Sequence, residues 1–308
     1  MKSKRERFLG CMYLGAIGDA KGSGYENMAK LPLDNEVFYP FGKPEQRTPE
    51  WMITDDTQLN VLTCEALLKD QSLEPEILCS HFVSYFNKGK IRGIGASTLK
   101  AFRELQIGSH WSQVGRKGDF AAGNGAAMRI ASLAFFENIS RERIEEVCSI
   151  THKNSEAYIG ALAVTITLKA IINNNWEVNV SLMTLAASQL PDSRVRDRIL
   201  QLDEPHENYS IAEVASKFGN SGYVVNSIPF AIYAANKIKV LSIENIFEQI
   251  IQSGGDTDTN CSICGQICGA YIGINEIPHS FLDQLKRLPE YSWFYNTFEE
   301  LGMKMEES

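Results

Sequence analysis

Apolar residues recur at intervals of three and four along most of this chain, and this spacing is the feature that most restricts its fold. Alternation of apolar and polar residues, which would indicate strands, is scarce. The one β-branched run, at 222–229, leads directly into the helix-like FAIYAANK. The sequence therefore predicts an all-α orthogonal array of helices rather than an α/β fold. The helical spacing is seen at 59–67, 77–85, 144–148, 159–171 and 243–250.

Three segments interrupt the helical pattern, at 31–51, 115–125 and 202–210. The first carries four of the ten prolines, the second is rich in glycine, and the third is polar. None is a long Pro/Ser linker, and no repeat of fixed period is present, so these segments are interpreted as loops. We therefore expect one compact helical domain over residues 1–308.

Charge and cysteine usage restrict the partners and the compartment. A net charge of -8 disfavours a nucleic-acid surface, which needs an excess of Lys and Arg. The seven cysteines are an odd number, and most lie in apolar-periodic stretches, which suits a reducing compartment. Basic MKSKRER followed by apolar FLGCMYLGAIG resembles a leader, but Gly10, Gly15 and Gly18 interrupt the apolar run. We expect a cytoplasmic monomer with no membrane span, whose first helix begins in this segment.

Two short acidic segments, TDDT at 54–57 and DTDT at 256–259, each precede a helix-periodic run. A Thr54 N-cap with Asp55 and Asp56 in the first turn suits the exposed N–H groups and dipole of a helix start. The same account covers Asp258 and Thr259. Simple capping therefore explains either segment taken alone.

Taken together, the two acidic segments offer a metal site. Gly254 and Gly255 allow a tight turn that would aim Asp256 and Asp258 inward. If the two helix starts meet, four carboxylates converge, and two divalent cations would balance their charge. The hydroxyls of Thr54 and Thr259 would complete an all-oxygen shell suited to Mg²⁺ or Mn²⁺.

A set of soft sulfur ligands directly follows the second acidic segment in the sequence. Cys261, Cys264 and Cys268 lie at i, i+3 and i+7 on one helix face. This spacing could contribute to an iron–sulfur cluster, but no fourth ligand is evident nearby. Cysteine also packs as a small hydrophobic residue, and we favour that interpretation.

Six motifs in order resemble the ADP-ribosylglycohydrolase family, which includes the dinitrogenase reductase activating glycohydrolases and the ADP-ribosyl-acceptor hydrolases. The last motif is followed by GAYIG, and the resemblance spans about residues 8–273. The motifs are GDAKGSGYE at 18–26, TDDTQL at 54–59, RGIGAST at 92–98, GNGAAMR at 123–129, TH at 151–152 and GGDTDTN at 254–260.

The resemblance implies an all-α fold with two divalent cations, Mg²⁺ or Mn²⁺, in a cleft. Glu26 would lie near the substrate ribose, and Glu26 and Asp55 are joint candidates for the general base, with Asp256 as a further catalytic candidate. Hydrolysis at an anomeric carbon needs the sugar oriented, a water activated and the leaving group assisted. The implied metal ligands are Thr54, Asp55, Asp56, Asp256, Asp258 and Thr259.

The resemblance also implies a substrate-binding set. The small residues of the glycine segments would allow a diphosphate to approach backbone N–H groups. The alternative interpretation is that these segments are ordinary loops. His152 would contact ADP-ribose, although an isolated histidine is often a core or capping residue. Tyr25, Phe102 and Tyr223 are candidates to stack on adenine, and the sequence does not choose among them. The implied substrate-binding residues are Gly93, Gly95, Ala96, Ser97, Gly123, Asn124, Gly125 and His152.

The chain departs from the family pattern at Asn260, at the three cysteines of the last motif and at Ala121 and Ala122, which affects the expected specificity. The resemblance implies a metal-dependent hydrolase that removes ADP-ribose from a protein side chain, with arginine favoured, or from a small-molecule ester. The alternative is an inactive ADP-ribose-binding or immunity-type protein that blocks an ADP-ribosylating toxin.

Overall fold

The computed structural model describes residues 2–26, 49–177, 180–203 and 209–306, and within them it is almost entirely helical. The predicted all-α fold class is confirmed. Short 3₁₀ turns join several of the elements. The α-helices of the described residues are α1 (Lys4–Gly22), α2 (Asp55–Lys69), α3 (Pro75–Phe86), α4 (Ala96–Gln106), α5 (Arg141–Ser149), α6 (Ser155–Ile172), α7 (Leu182–Ala187), α8 (Arg194–Asp203), α9 (Ile211–Phe218), α10 (Val224–Asn236), α11 (Ile243–Ser253), α12 (Thr257–Ile272), α13 (His279–Leu285) and α14 (Tyr291–Lys304).

The two central helices, α1 and α12, contact each other backbone to backbone. A Cβ added at Gly10 would overlap the carbonyl oxygen of Gly269, and one at Gly18 would overlap that of Cys261. In return, a Cβ at Gly265 would overlap the carbonyl oxygen of Leu14. The glycines that interrupt the leader-like run are thus the contact surface of a core helix, because only residues without a Cβ permit this approach.

The five stretches of helical periodicity fall within α2, α3, α5, α6 and α11, as predicted. The β-branched run at 222–229 is also helical, since α10 begins at Val224 and contains Pro229. Val224, Val225 and Ile228 are buried, so burial overrides the weak β preference of valine. Of the predicted loop at 31–51, residues 31–48 lie outside the described part of the chain.

A short parallel sheet was missed by sequence reasoning. β1 (Arg116–Lys117) pairs with β2 (His152–Lys153), with Arg116 opposite His152. Two-residue strands leave no periodic signal in a sequence. Their pairing brings the glycine-rich loop at 115–125 beside the start of α6.

Within the described residues, α6 is the helix long and apolar enough to span a membrane by length and composition. Its apolar window is 72% buried inside the structure, where it contacts α5, α10 and α12. A core helix of this kind passes the same test as a membrane span, so α6 is weak evidence for a membrane segment.

We expect Gly269→Ala to lower the free energy of unfolding by about 2 kcal/mol or more, because overpacking against a backbone atom cannot be relieved by a rotamer change. Gly302→Ala is the matched control. It also lies in a helix, α14, but its added Cβ would meet only side chains, those of Leu9 at 3.3 Å and Arg5 at 3.5 Å. Alanine itself favours a helix over glycine by ~0.5–1 kcal/mol, so the control should stay within about 1 kcal/mol of wild type.

Urea denaturation followed by circular dichroism would measure both variants. A Gly269→Ala protein as stable as Gly302→Ala would show that α1 and α12 are not in backbone contact.

Candidate functional site

Three helix N-termini, those of α2, α4 and α12, surround a cavity of about 270 Å³. The free N–H groups and the positive dipole end of each helix face the same space, which favours anionic groups there. The cavity is lined by Glu26, Asp55, Asp56, Gly93, Gly95, Ala96, Ser97, Thr98, Arg116, Gly123, Asn124, Gly125, Met128, His152, Asp256, Asp258 and Thr259. Of the residues implied by the motif resemblance, Thr54 alone does not line this cavity.

A buried carboxylate, Asp19 of α1, fixes the start of α2. Its Oδ2 accepts hydrogen bonds from the backbone N–H groups of Thr54 (2.9 Å) and Thr57 (3.1 Å). The hydroxyls of both threonines donate to it as well, Thr54 to Oδ1 at 2.7 Å and Thr57 to Oδ2 at 2.5 Å. Thr54 also accepts from Asp56 N–H at 3.4 Å as the N-cap. Asp19 is thus an external cap that joins α2 to α1.

Asp19 was not selected from the sequence, although it lies in the quoted motif GDAKGSGYE. An acidic residue near the end of an apolar helix carries no periodic signal. The missed cue was a carboxylate with no basic residue at i±4 on the same helix, Gly15 and Ser23 being those positions.

The start of α12 is set by the predicted glycine turn. Gly254 and Gly255 have φ values of 66° and 77°, which a residue with a side chain adopts only with strain. Asn220 stabilises this turn, because its side chain donates to Gly254 O and its own carbonyl accepts from Asp256 N–H (3.1 Å). Asn260, one of the family departures, donates to the same carbonyl at 2.7 Å.

The two acidic helix starts meet, as the sequence argument required for a metal site. The hydroxyl of Thr259 donates to Asp56 Oδ2 at 3.1 Å. Carboxylate oxygens lie within 4.8 Å of one another in two groups, both of which contain Asp258. One group adds Asp19 and Asp56, and the other adds Glu26 and Asp256.

Asn124 orients one of these carboxylates, since its amide donates to Asp256 Oδ2 at 2.7 Å. Its loop is held against the segment before α10, because Asn124 N–H donates to Gly222 O (3.1 Å) and Val224 N–H to Ala122 O (3.0 Å). Asn124 lines the cavity, but the structure also gives it a positioning role that sequence reasoning did not include.

A model of the family described as ADP-ribosylglycohydrolase matches residues 1–308 of the chain. The chain belongs to the ADP-ribosylglycohydrolase family. The resemblance drawn from the six motifs is confirmed.

Relatives of this ADP-ribosylglycohydrolase family member include an uncharacterized protein of Archaeoglobus fulgidus, 29% identical over 91% of this chain and 92% of its own. Human ADP-ribosylhydrolase ARH3 is 26% identical over 89% and 88%, respectively. ADP-ribosylarginine hydrolase Tri1 of Serratia proteamaculans is 25% identical over 88% and 72%. A solved structure titled ADP-ribosylglycohydrolase-related protein complex superimposes with a TM-score of 0.74 over 99% of this chain and 100% of that one, at 22% identity, which shows the shared fold.

Burial and mutual repulsion raise the pKa values of the clustered carboxyls. Burial, then the charge of Asp19, raises the pKa of Asp55 to about 7. Burial and the neighbouring Asp256 raise the pKa of Asp258 to about 10. The same causes hold the pKa of Asp56 well above its ordinary range, and burial raises that of Asp19 despite its hydrogen bonds. Charge of opposite sign is therefore needed before these groups can all ionise.

The other predicted site residues line the same cavity from the loops of this ADP-ribosylglycohydrolase-type fold. Glu26 is exposed at the rim, at the end of the described segment 2–26. Gly93 has a φ of 75° and lies against Asp55, where an added Cβ would be 3.0 Å from Oδ1. Gly95 has open space beside it and is the N-cap of α4, whose first residues, Ala96 and Ser97, line the cavity.

His152 is buried beside the glycines of the GNG segment. A Cβ at Gly125 would be 2.9 Å from His152 Cε1, so glycine leaves the room that the ring occupies. Burial, with the charges of Arg129 and Arg116, lowers the pKa of His152 to about 3. The imidazole is therefore neutral at physiological pH.

The aromatic candidates separate clearly. Phe102 is fully buried in the core against Phe82, so it is excluded as an adenine-stacking residue. Phe120, which sequence reasoning missed, is 84% exposed, and its ring lies 5.7 Å from the guanidinium carbon of cavity-lining Arg116. A large apolar residue at the centre of a glycine-rich loop was the available signal.

The cysteines are packing residues. Cys261, Cys264 and Cys268 are fully buried, and burial holds the pKa values of Cys261 and Cys264 well above the ordinary range, so these thiols stay protonated. Among the described residues, neither group with metal-ligand spacing contains a cysteine. The structure thus favours the packing interpretation over an iron–sulfur cluster.

We expect the stability of the metal-free protein to fall as the pH rises from 5 to 8.5. The folded-state pKa values of Asp55 (about 7) and Asp258 (about 10) lie above the ordinary value. The unfolded chain therefore binds fewer protons than the folded one across this interval, and unfolding becomes more favourable. Urea midpoints in a chelating buffer would measure the slope.

Asp19→Asn should make this slope shallower, because one of the repelling carboxylates is gone. Asp283→Asn, which changes an exposed carboxylate on α13, should leave it unchanged. Stability that rises with pH in the wild type would contradict the assignment of raised pKa values.

Proposed function

We propose that this protein is a hydrolase that removes ADP-ribose from a modified protein side chain, using two divalent cations, Mg²⁺ or Mn²⁺. One observation carries the proposal: a cluster of carboxylates and hydroxyls at two helix starts opens into a cavity that the N-terminus of α4 and Arg116 also line. The first part suits hard cations and the second suits a diphosphate.

The residues fit the cations. Asp56 Oδ1 is buried and has no hydrogen-bond partner among the residues that the structure describes, which is costly for a carboxylate oxygen unless a cation satisfies it. The carboxylates of the cluster repel one another, and a total charge of about +4 would relieve that repulsion. All of the donors are hard oxygens, the set that Mg²⁺ and Mn²⁺ prefer. Asp55, Asp56, Asp256, Asp258 and Thr259 would hold the cations, with the oxygen of Thr54 available behind them.

Bound divalent cations would supply Lewis-acid stabilisation of ribose oxygens and would lower the pKa of a coordinated water. The chain itself supplies the proton acceptor. Asp55 and Glu26 both face the cavity, and either could take a proton from the water that attacks the anomeric carbon. The bond from that carbon to the acceptor side chain then breaks, and the acceptor leaves with a proton.

The opposite wall would hold the rest of ADP-ribose. Ala96 and Ser97 at the start of α4 offer backbone N–H groups to the diphosphate, and Arg116 adds a positive charge at the rim. Phe120, exposed beside Arg116, offers a face on which adenine can stack. Ser97, Gly123 and Gly125 also line the cavity.

Arginine is the acceptor that we propose first, because a relative that shares most of its length with this chain is named an ADP-ribosylarginine hydrolase. The name of ADP-ribosylhydrolase ARH3 specifies no acceptor. We further propose a cytoplasmic location, as expected from cysteine usage.

We expect free ADP-ribose to be released from an ADP-ribosylated arginine peptide in the presence of Mg²⁺ or Mn²⁺ but not of a chelator. Asp256→Asn should reduce kcat by about a hundredfold or more, because it removes a carboxylate of the ligand group that also contains Glu26 and Asp258. Glu26→Gln should reduce kcat by about 10²–10⁴-fold if Glu26 is the general base. Chromatography of released ADP-ribose would measure these rates, with a serine-linked peptide run in parallel.

Asp283→Asn is the control and should keep wild-type activity. Release in the chelator would contradict the two-cation site. Tight binding of ADP-ribose without release from either peptide would instead indicate an ADP-ribose-binding protein.

A further inference from the structure

Arg129 is a fully buried guanidinium, and no carboxylate lies within ion-pair distance of it in the described part of the chain. Its N–H groups go instead to neutral oxygens: Gly125 O, Val147 O at 3.2 Å and the hydroxyl of Thr151 at 2.9 Å. A buried cation that donates only to neutral oxygens is costly, so its position calls for a reason.

The hydroxyl of Thr151 connects Arg129 to His152. Thr151 is fully buried, and its Oγ1 lies 2.7 Å from His152 Nδ1. Since a guanidinium can only donate, Thr151 Oγ1 accepts from Arg129. The hydroxyl proton then has one acceptor among the described residues, His152 Nδ1. If Nδ1 carried a proton instead, the hydroxyl proton would be buried without a partner, which is costly.

We propose that Arg129 and Thr151 are positioning residues that hold His152 with its proton on Nε2, so that the ring is a fixed hydrogen-bond donor to the cavity. The hydrogen-bond chain Arg129–Thr151–His152 keeps Nδ1 unprotonated, because Nδ1 accepts the hydroxyl proton of Thr151. The ring carbon and nitrogen atoms on the far side of this chain lie against Gly123 and Gly125 at the cavity wall. Nε2–H is left for a ligand.

The arrangement selects an acceptor of negative charge. The positive charge of Arg129, buried behind His152, favours an anionic oxygen as the acceptor of Nε2–H. Because the His152 ring is neutral, it carries no additional proton that could be lost. Arg129 also holds Gly125 O, so the same guanidinium fixes the glycine that gives the ring its space. This inference rests on the proposed function: the Nε2–H of His152 would donate a hydrogen bond to a diphosphate oxygen of ADP-ribose.

Nitrogen-15 NMR of the free protein, labelled at histidine, tests the tautomer without any ligand. We expect the wild type to show His152 as a neutral ring protonated at Nε2 across pH 5.5–8. Thr151→Val, which keeps the shape but removes the hydroxyl, should show a measurable Nδ1-protonated population. Thr151→Ser keeps the hydroxyl and should give the wild-type spectrum. A wild-type ring protonated at Nδ1, or at both nitrogens, would overturn the proposal.

Calorimetric titration with free ADP-ribose in Mg²⁺ buffer tests the consequence. We expect Thr151→Val to weaken binding about three- to tenfold, as for the loss of one oriented hydrogen bond, and Thr151→Ser to stay within about twofold. In a His152→Ala background, Thr151→Val should have little further effect, because Thr151 would act through the ring. An equal loss in both backgrounds would mean a merely structural role and would overturn the proposal.

The two proposals fail separately. If wild-type protein does not bind ADP-ribose, the proposed function fails, whereas the NMR measurement still decides the tautomer. Thermal melting of each variant confirms folding before titration.

Discussion

The backbone contact between α1 and α12 is the constraint on which the rest of the structure depends. Side-chain packing usually separates helix axes by 8–10 Å. Here glycines on both helices remove the side chains, so main-chain atoms set the distance. That contact places Asp19, near the end of α1, beside Asp258, at the start of α12. Because Asp19 also caps α2, one helix pair fixes the position of all the acidic helix starts.

The site places like charges together and stabilises them with dipoles. Three helix N-termini converge on the carboxylates and offset part of their repulsion, while the hydrogen bonds to Asp19 do the same locally. These interactions are insufficient, as the raised pKa of Asp258 shows. A cluster of repelling carboxylates is poorly suited to a purely structural role. The negative charge that the dipoles and hydrogen bonds leave unbalanced would give the cluster affinity for a cation. In the proposed function, the basic and polar groups on the opposite wall would contact the diphosphate of ADP-ribose.

The sequence was enough to predict the helical class, the start of α2 after its Thr54 cap and the glycine turn before α12. It placed the cap of α12 at Asp258 or Thr259, which is wrong, because Asp256 occupies the cap position. It left open whether the two acidic motifs meet. Periodicity and capping are local properties, and both acidic helix starts are local. The sequence could not predict contacts between elements that are distant along the chain. Asp19 reaches Thr54 only because α1 and α2 pack together, and Arg129 contacts Thr151 although 22 residues separate them in the sequence. Phe102 lies in α4 and Phe120 in the glycine-rich loop, and the sequence did not show that the first is in the core and the second is exposed.

The glycine contact also bears on when the site can exist during synthesis. Gly10 and Gly269 lie at opposite ends of the chain, so α1 leaves the ribosome long before its partner helix. At ~5–20 residues per second, α1 would wait on the order of ten to fifty seconds for α12. During that interval its glycine face and apolar sides have no native cover. The carboxylate cluster is accordingly among the last features to assemble, and a truncated chain would present an uncovered helix rather than a partly active site.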